Sequence, residues 1–169
     1  MLARLRAGFE RLLELIVILL MIALAVEVLL GVTYRKLGAS LGWYDEIASV
    51  TLAWLTYYGA ALAALKGAHI GFPGIVEALP PRARVPVILA GEFFVFAFFG
   101  ALTWTGYRVL EVLATDTLVS LPEVPVSLTQ SVIPIGGALF LVAEALHLAD
   151  VLRAARRPQA RLGEPVTEV

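Results

Sequence analysis

There is no cysteine in this 169-residue chain. That excludes disulfides, thiolate metal sites and cysteine nucleophiles. Histidine is scarce as well: His69 and His147 are the only two. Charged residues make up 16% of the chain and nearly cancel, leaving a formal net charge of −1. A typical soluble domain carries about 25%. No basic cluster interleaves with aromatic residues, so nothing here suits a nucleic acid. No nucleophile elbow, zinc-ligand spacing or phosphate loop occurs; Gly71-Phe72-Pro73-Gly74 reads as a turn. The residue types that enzymes use are present only in isolation, so the sequence gives no reason to expect catalysis or a cofactor.

What the chain has in excess is apolar length. It is 60% hydrophobic, with mean hydropathy +0.87. Four stretches, about Leu12–Thr33, Ile47–Leu65, Val85–Tyr107 and Val126–Ala149, each contain enough apolar residues to cross a bilayer. At 1.5 Å per residue, about 20 helical residues match the roughly 30 Å hydrocarbon core. Removing them leaves no segment large enough for a soluble domain. The expected fold is therefore a single all-α integral membrane domain of four transmembrane helices over residues 1–169.

The basic residues set the expected orientation. Arg4, Arg6 and Arg11 precede the first span; Lys66, Arg82 and Arg84 lie between the second and third; Arg153, Arg156, Arg157 and Arg161 follow the fourth. Only Arg35, Lys36 and Arg108 lie on the other side. The positive-inside rule places both termini in the cytoplasm. Tyr34, Trp43, Tyr44, Trp104 and Tyr107 gather at the opposite ends, where amphipathic rings form an interfacial belt. The N-terminal arginines and the Ala23-Leu24-Ala25 triplet also fit a cleaved signal peptide. The apolar run continues to Val32, so the segment is expected to be retained as the first span.

Local patterns refine this picture. Asp45 and Glu46 open the second span, where they complement the positive end of a helix dipole. Gly59, Ala63 and Gly67 recur every four residues, flanked by Ala60, Ala64 and Ala68. Such rows let helices approach closely in lipid, and they are the candidate subunit-packing surface. Phe72, Ile75, Val76 and Leu79 fall on one helical face between Pro73 and Pro80, predicting a short amphipathic helix in the inner interface between spans two and three. Pro134 removes the donor for the Gln130 carbonyl and predicts a kink in the fourth span. The tail over 158–169 is polar and is expected to be disordered.

Three carboxylates fall inside spans: Glu27, Glu92 and Glu144. Ionisable groups at membrane depth are functional candidates. Glu92 and Glu144 are expected at similar depth toward the inner side, near Lys66, with Glu27 nearer the outside. They read either as an ion or proton relay or as carboxyls that fix helix packing; their scatter favours the second. His69 and His147 sit at helix ends, where an interfacial role fits better than haem ligation.

Taken together, Asp45-Glu46, Trp54 before Gly59-Ala60, Gly67-Ala68-His69-Ile70, and Ser131-Val132-Ile133-Pro134-Ile135-Gly136 resemble the small permease (Q) subunit of tripartite ATP-independent periplasmic (TRAP) transporters. The family's acidic residue shortly after His-Ile is replaced here by Gly71-Phe72-Pro73-Gly74, with Glu77 the next acid. The resemblance implies a multi-pass protein of the bacterial inner membrane, surrounded by lipid. It also implies a large permease subunit holding the substrate and sodium sites, a periplasmic binding protein, and a scaffolding role in sodium-coupled uptake of an organic acid. Asp45, Glu46, Trp54, His69, Pro134 and Gly136 are the residues that carry the family pattern. Read from the residues alone, a standalone proton-coupled carrier and the membrane anchor of a redox enzyme remain as rivals.

Overall fold

The computed structural model describes residues 2–68 and 79–155. Among the described residues five helices form: α1 (Leu2–Lys36), α2 (Tyr44–Leu65), α3 (Pro81–Val112), α4 (Val126–Gln130) and α5 (Val132–Ala155). No strand forms among the described residues. A single antiparallel bridge, Thr117 to Pro125, closes the loop between α3 and α4. Four candidate spans are long and apolar enough to cross a membrane.

The helices outrun the apolar stretches that announce them. α1 has 35 residues, about 52 Å of helix. Its apolar centre is flanked by Arg4, Arg6, Glu10 and Arg11 on one side and Arg35 and Lys36 on the other. Hydropathy measures the length immersed in lipid, whereas charged, helix-favouring residues extend the rod into the headgroups. α3 begins at Pro81, as the missing N–H of a proline permits in a first turn, after an extended Pro80 with φ −59° and ψ 146°. The segment read as an amphipathic helix lies, apart from Leu79, outside the described residues. So do His69 and the tail over 158–169.

The fourth span is divided rather than merely bent. α4 stops at Gln130, Ser131 forms a turn, and α5 starts at Val132. The Ser131 N–H donates to the Leu128 carbonyl at 3.3 Å, and the Ser131 and Thr129 hydroxyls cap the carbonyls of Leu128 and Val126. Pro134 offers no N–H to Gln130, and the helical ladder restarts at Val132, two residues before it.

α2 and α5 are central. α1 packs along α2, α2 along α5, and α5 along α3, giving the spatial order α1–α2–α5–α3. The core joins Leu13, Ala61, Ala64, Leu65, Phe140 and Ala143, with Phe9, Tyr58 and Phe99 packed against it. Phe99 and Phe140 stack face to face, centroids 3.6 Å apart. The expectation that α1 faces lipid agrees with its exposed Leu12, Leu15, Ile18, Leu19 and Ile22. The phenylalanines of α3 divide: Phe93, Phe94 and Phe98 are exposed, while Phe99 turns inward.

Elsewhere glycine sets how close the helices come. A Cβ on Gly136 would lie 2.6 Å from Cβ of Tyr57, one on Gly137 2.5 Å from Oγ1 of Thr103, and one on Gly106 2.7 Å from Ile133. Gly31 is covered by the ring of Tyr44, which fills the space a Cβ would need. Tyr44 therefore packs against α1 and is half-buried, while Tyr34, Trp43, Trp104 and Tyr107 remain exposed as a belt.

Both α1 and α2 end in the same motif. Gly38 and Gly67 adopt φ of +77° and +63°. The N–H groups of Gly67 and Ala68 turn back to the carbonyls of Ala64 and Ala63, at 3.0 and 2.9 Å. This is a Schellman cap, which favours glycine at the left-handed position. At Gly67 the imidazole of His147 also occupies the place a Cβ would take. Gly67→Ala should therefore destabilise by at least the roughly 1–2 kcal/mol that L-residues incur in the left-handed region. A thermal melt of the purified protein in detergent measures this, and an unchanged midpoint would contradict it.

Candidate functional site

The two ends of the bundle are built from different chemistry. At one end lie the start of α1 and the ends of α2 and α5. Arg6 pairs through Nη1 with Asp150 and donates through Nη2 to the Leu65 carbonyl at 2.9 Å. That carbonyl is among those a helix terminus leaves unpaired, so one guanidinium joins three helices. Lys66 pairs with Glu14, and Glu10 lies 3.6 Å away. The adjoining Glu14 holds the exposed Lys66 ammonium above its ordinary pKa. The expectation that Lys66 neighbours Glu92 and Glu144 is corrected: its carboxylates come from α1. The Arg6–Asp150 contact also puts the first turns of α1 and the last turns of α5 at this same charged end.

At the aromatic end, the acid pair of α2 separates into two environments. Asp45 is exposed. Glu46 reaches across to the α3–α4 loop: the Val119 N–H donates to Oε1 at 3.0 Å and the Ser120 N–H to Oε2 at 2.8 Å. The Ser120 hydroxyl donates to Oε2 as well. The loop folds back on itself through Leu118 N–H to the Val124 carbonyl at 3.0 Å and Val126 N–H to the Asp116 carbonyl at 2.9 Å. Leu118 is buried beneath it, and Val119 stands 92% exposed at its tip. Glu46 thus acts as a clasp that fixes an outer loop to the first turn of α2. A second tie follows two turns along, where Trp54 Nε1–H donates to the Thr129 carbonyl at 2.9 Å. Glu46→Ala should speed hydrogen exchange at the Val119 and Ser120 amides by about tenfold or more, with the membrane helices unaffected; equal exchange in both proteins would refute the clasp.

The candidate packing rows on α2 face different ways. Ala64 is fully buried and Ala60 packs against the core, so that row holds α2 within this chain. Gly67 belongs to the cap beneath His147. Gly59 is different: a Cβ there would meet nothing within 4 Å. Ser49, Leu52, Thr56, Gly59 and Ala63 recur every three or four residues; the first three are exposed and Ala63 is half-buried. The Ser49 and Thr56 hydroxyls donate to their own helix, to the carbonyls of Asp45 and Leu52 at 2.7 and 2.8 Å. This stripe is small and already satisfied in hydrogen bonding, so another helix can lie against it without stranding a polar group.

The membrane carboxyls occupy seams between helices. Glu27 on α1 stands beside Thr51 on α2. Glu92 on α3 lies within electrostatic reach of Glu144 on α5. One oxygen of each, Oε1 of Glu27 and Oε2 of Glu92 and Glu144, is buried without a hydrogen-bond partner. Among the described residues no three of His, Asp and Glu converge as metal ligands. Among the described residues, two surface grooves lie at membrane depth. One of about 460 Å³ is bordered by Met21, Leu24, Val28 and Leu55, and one of about 380 Å³ by Gly100, Trp104, Tyr107 and Pro134. Their linings suit lipid chains rather than a charged solute.

The acids, Trp54 and the α2 row stand where the sequence pattern puts them along the chain. Nothing in that pattern announces Glu46's hold on residues 119 and 120, more than 70 positions away. Gly106, Gly137 and Gly31 likewise go unannounced as contact points. Their only signal is a glycine within a span.

Comparison with known proteins falls on the same helices. The sequence profile of the DctQ component of tripartite ATP-independent periplasmic transporters matches residues 24–154. The sialic acid TRAP transporter small permease protein of Vibrio cholerae is 26% identical over 111 residues, which is 66% of this chain and 64% of that relative. The matched part therefore spans a little under two thirds of the relative's length.

Proposed function

Because this chain belongs to the DctQ family, the small permease components of TRAP transporters, and is a multi-pass protein of the bacterial inner membrane, we propose that it braces a large permease subunit during binding-protein-dependent uptake. The observation that carries this reading is the uncovered stripe of Ser49, Thr56, Gly59 and Ala63 on α2. A Cβ at Gly59 would meet nothing within 4 Å, so the stripe offers a second membrane protein a close-packing surface. The charged end, with Arg6, Lys66 and Arg84, faces the cytoplasm by the positive-inside rule. The aromatic end and its clasped loop then face the periplasm, toward a binding protein.

Substrate and coupling ion belong to the large subunit in this reading. The two grooves described above are apolar, and the membrane carboxyls lie in helix seams. The transported solute is an organic acid and the coupling ion sodium, as the family relationship suggests. The test is reconstitution. Purified chain alone in liposomes should give no sodium-driven flux of an organic acid. The same chain with its large subunit and binding protein should give flux that disappears when this chain is left out. Flux from this chain alone would overturn the proposal.

A further inference from the structure

We propose that Glu92 and Glu144 bind a single proton between them inside the membrane, and that this proton ties α3 to α5. The two helices pack along each other. Phe99 stacked on Phe140 and Thr103 against Gly137 fix the register of the two helices; Glu92 and Glu144 continue these facing stripes toward the charged end and lie about one helical turn, roughly 5 Å, apart in depth. Oε2 of each is buried and has no hydrogen-bond partner. Glu144 retains only 7% of its surface, and its neighbour Ala143 none.

An ionised carboxylate can only accept hydrogen bonds, so two of them cannot satisfy one another. Two negative charges at this depth would also repel and would lack solvation. One proton resolves both problems. It makes one carboxyl a donor and the other its acceptor, and leaves the seam with one charge in place of two. Because the unpartnered oxygens are shielded from the surface, the missing element has to fit within the seam.

The surrounding titratable groups have contacts of their own. On α3, Arg84 lies two turns toward the charged end and donates through Nε to the Leu79 carbonyl at 3.0 Å. On α5, the His147 ring packs over Gly67 and Asp150 pairs with Arg6. On α2, Lys66 pairs with Glu14, Tyr57 covers Gly136, and Tyr58 packs on the core. Glu27 stands beside Thr51 in the other seam.

Infrared spectroscopy of the purified full chain at neutral pH tests the proposal through the carbonyl stretch of a protonated carboxylic acid. The wild type should show this band. Glu92→Gln together with Glu144→Gln should remove it, and Glu27→Gln should leave the pair's contribution in place. The single variant Glu92→Gln guards against misfolding of the double one. Its amide donates to Glu144 in place of the proton, so it should fold with an unshifted melting midpoint and lose the band. A wild type without the band, with or without added sodium, overturns the proposal. So does a band of equal area in the wild type and in Glu92→Gln.

Discussion

Gly136→Leu is expected to destabilise the protein by about 3 kcal/mol, at the upper end of what overpacking costs. The reason is the identity of the atom it would strike. Cβ of Tyr57 lies 2.6 Å from the point where a side chain would begin, and a Cβ cannot swing away as a side-chain tip can. Relief requires α2 and α5 to move apart. These are the two central helices, so the stack of Phe99 on Phe140 and the contacts of Ala61, Ala64 and Ala143 loosen together. A thermal melt in detergent should show a clear fall in midpoint and a broader elution profile. Gly59→Ala is the control: it meets open space, and by removing a helical glycine it should be neutral or stabilising by up to about 1 kcal/mol. Equal midpoints for Gly136→Leu and Gly59→Ala would show that the α2–α5 approach is not a tight contact.

Gly59→Leu combined with Ala63→Leu should act in the opposite sense. The folded chain should be nearly unaffected, because Gly59 has nothing within 4 Å of its Cβ position and Ala63 is only half-buried. Recovery of the large permease subunit with it should fall at least tenfold, corresponding to about 1.4 kcal/mol or more of lost association. Two leucines would fill the shallow edge on which the proposal places a partner helix. The measurement is the amount of large subunit retained on a tagged small subunit, normalised to folded protein. Unchanged recovery would move the contact to another face of the molecule and leave the α2 stripe to lipid.

Much of the fold was readable in advance because the bilayer simplifies the problem. An apolar stretch of sufficient length has one stable arrangement in lipid, so four stretches give four rods. The break near Pro134 followed from the missing N–H. The pairing of faces was not readable. Ala64 and Ala63 are adjacent, chemically identical and about equally apolar in context, yet one is sealed in the core and the other lies half open. Which of them turns inward depends on where Leu13 and Phe140 arrive from other helices. Glu46 shows the same limit. Its place at a helix start suggested a dipole partner, while its carboxylate serves a loop more than 70 residues further along the sequence. Tyr44 reads as an interfacial ring and also lies on Gly31, a contact its own position in the sequence does not announce.

The order α1–α2–α5–α3 bears on how the molecule is made. A ribosome delivers α1 and α2 as neighbours that can join as soon as both are in the bilayer. α3 comes next, but the rod it packs along is the last to emerge. Until then its inward face, Phe99 and Glu92 included, rests against lipid tails or against whatever insertion machinery holds it. Truncation before α5 should therefore leave a paired hairpin and a solitary third rod, and degradation of nascent chains should concentrate on that stage.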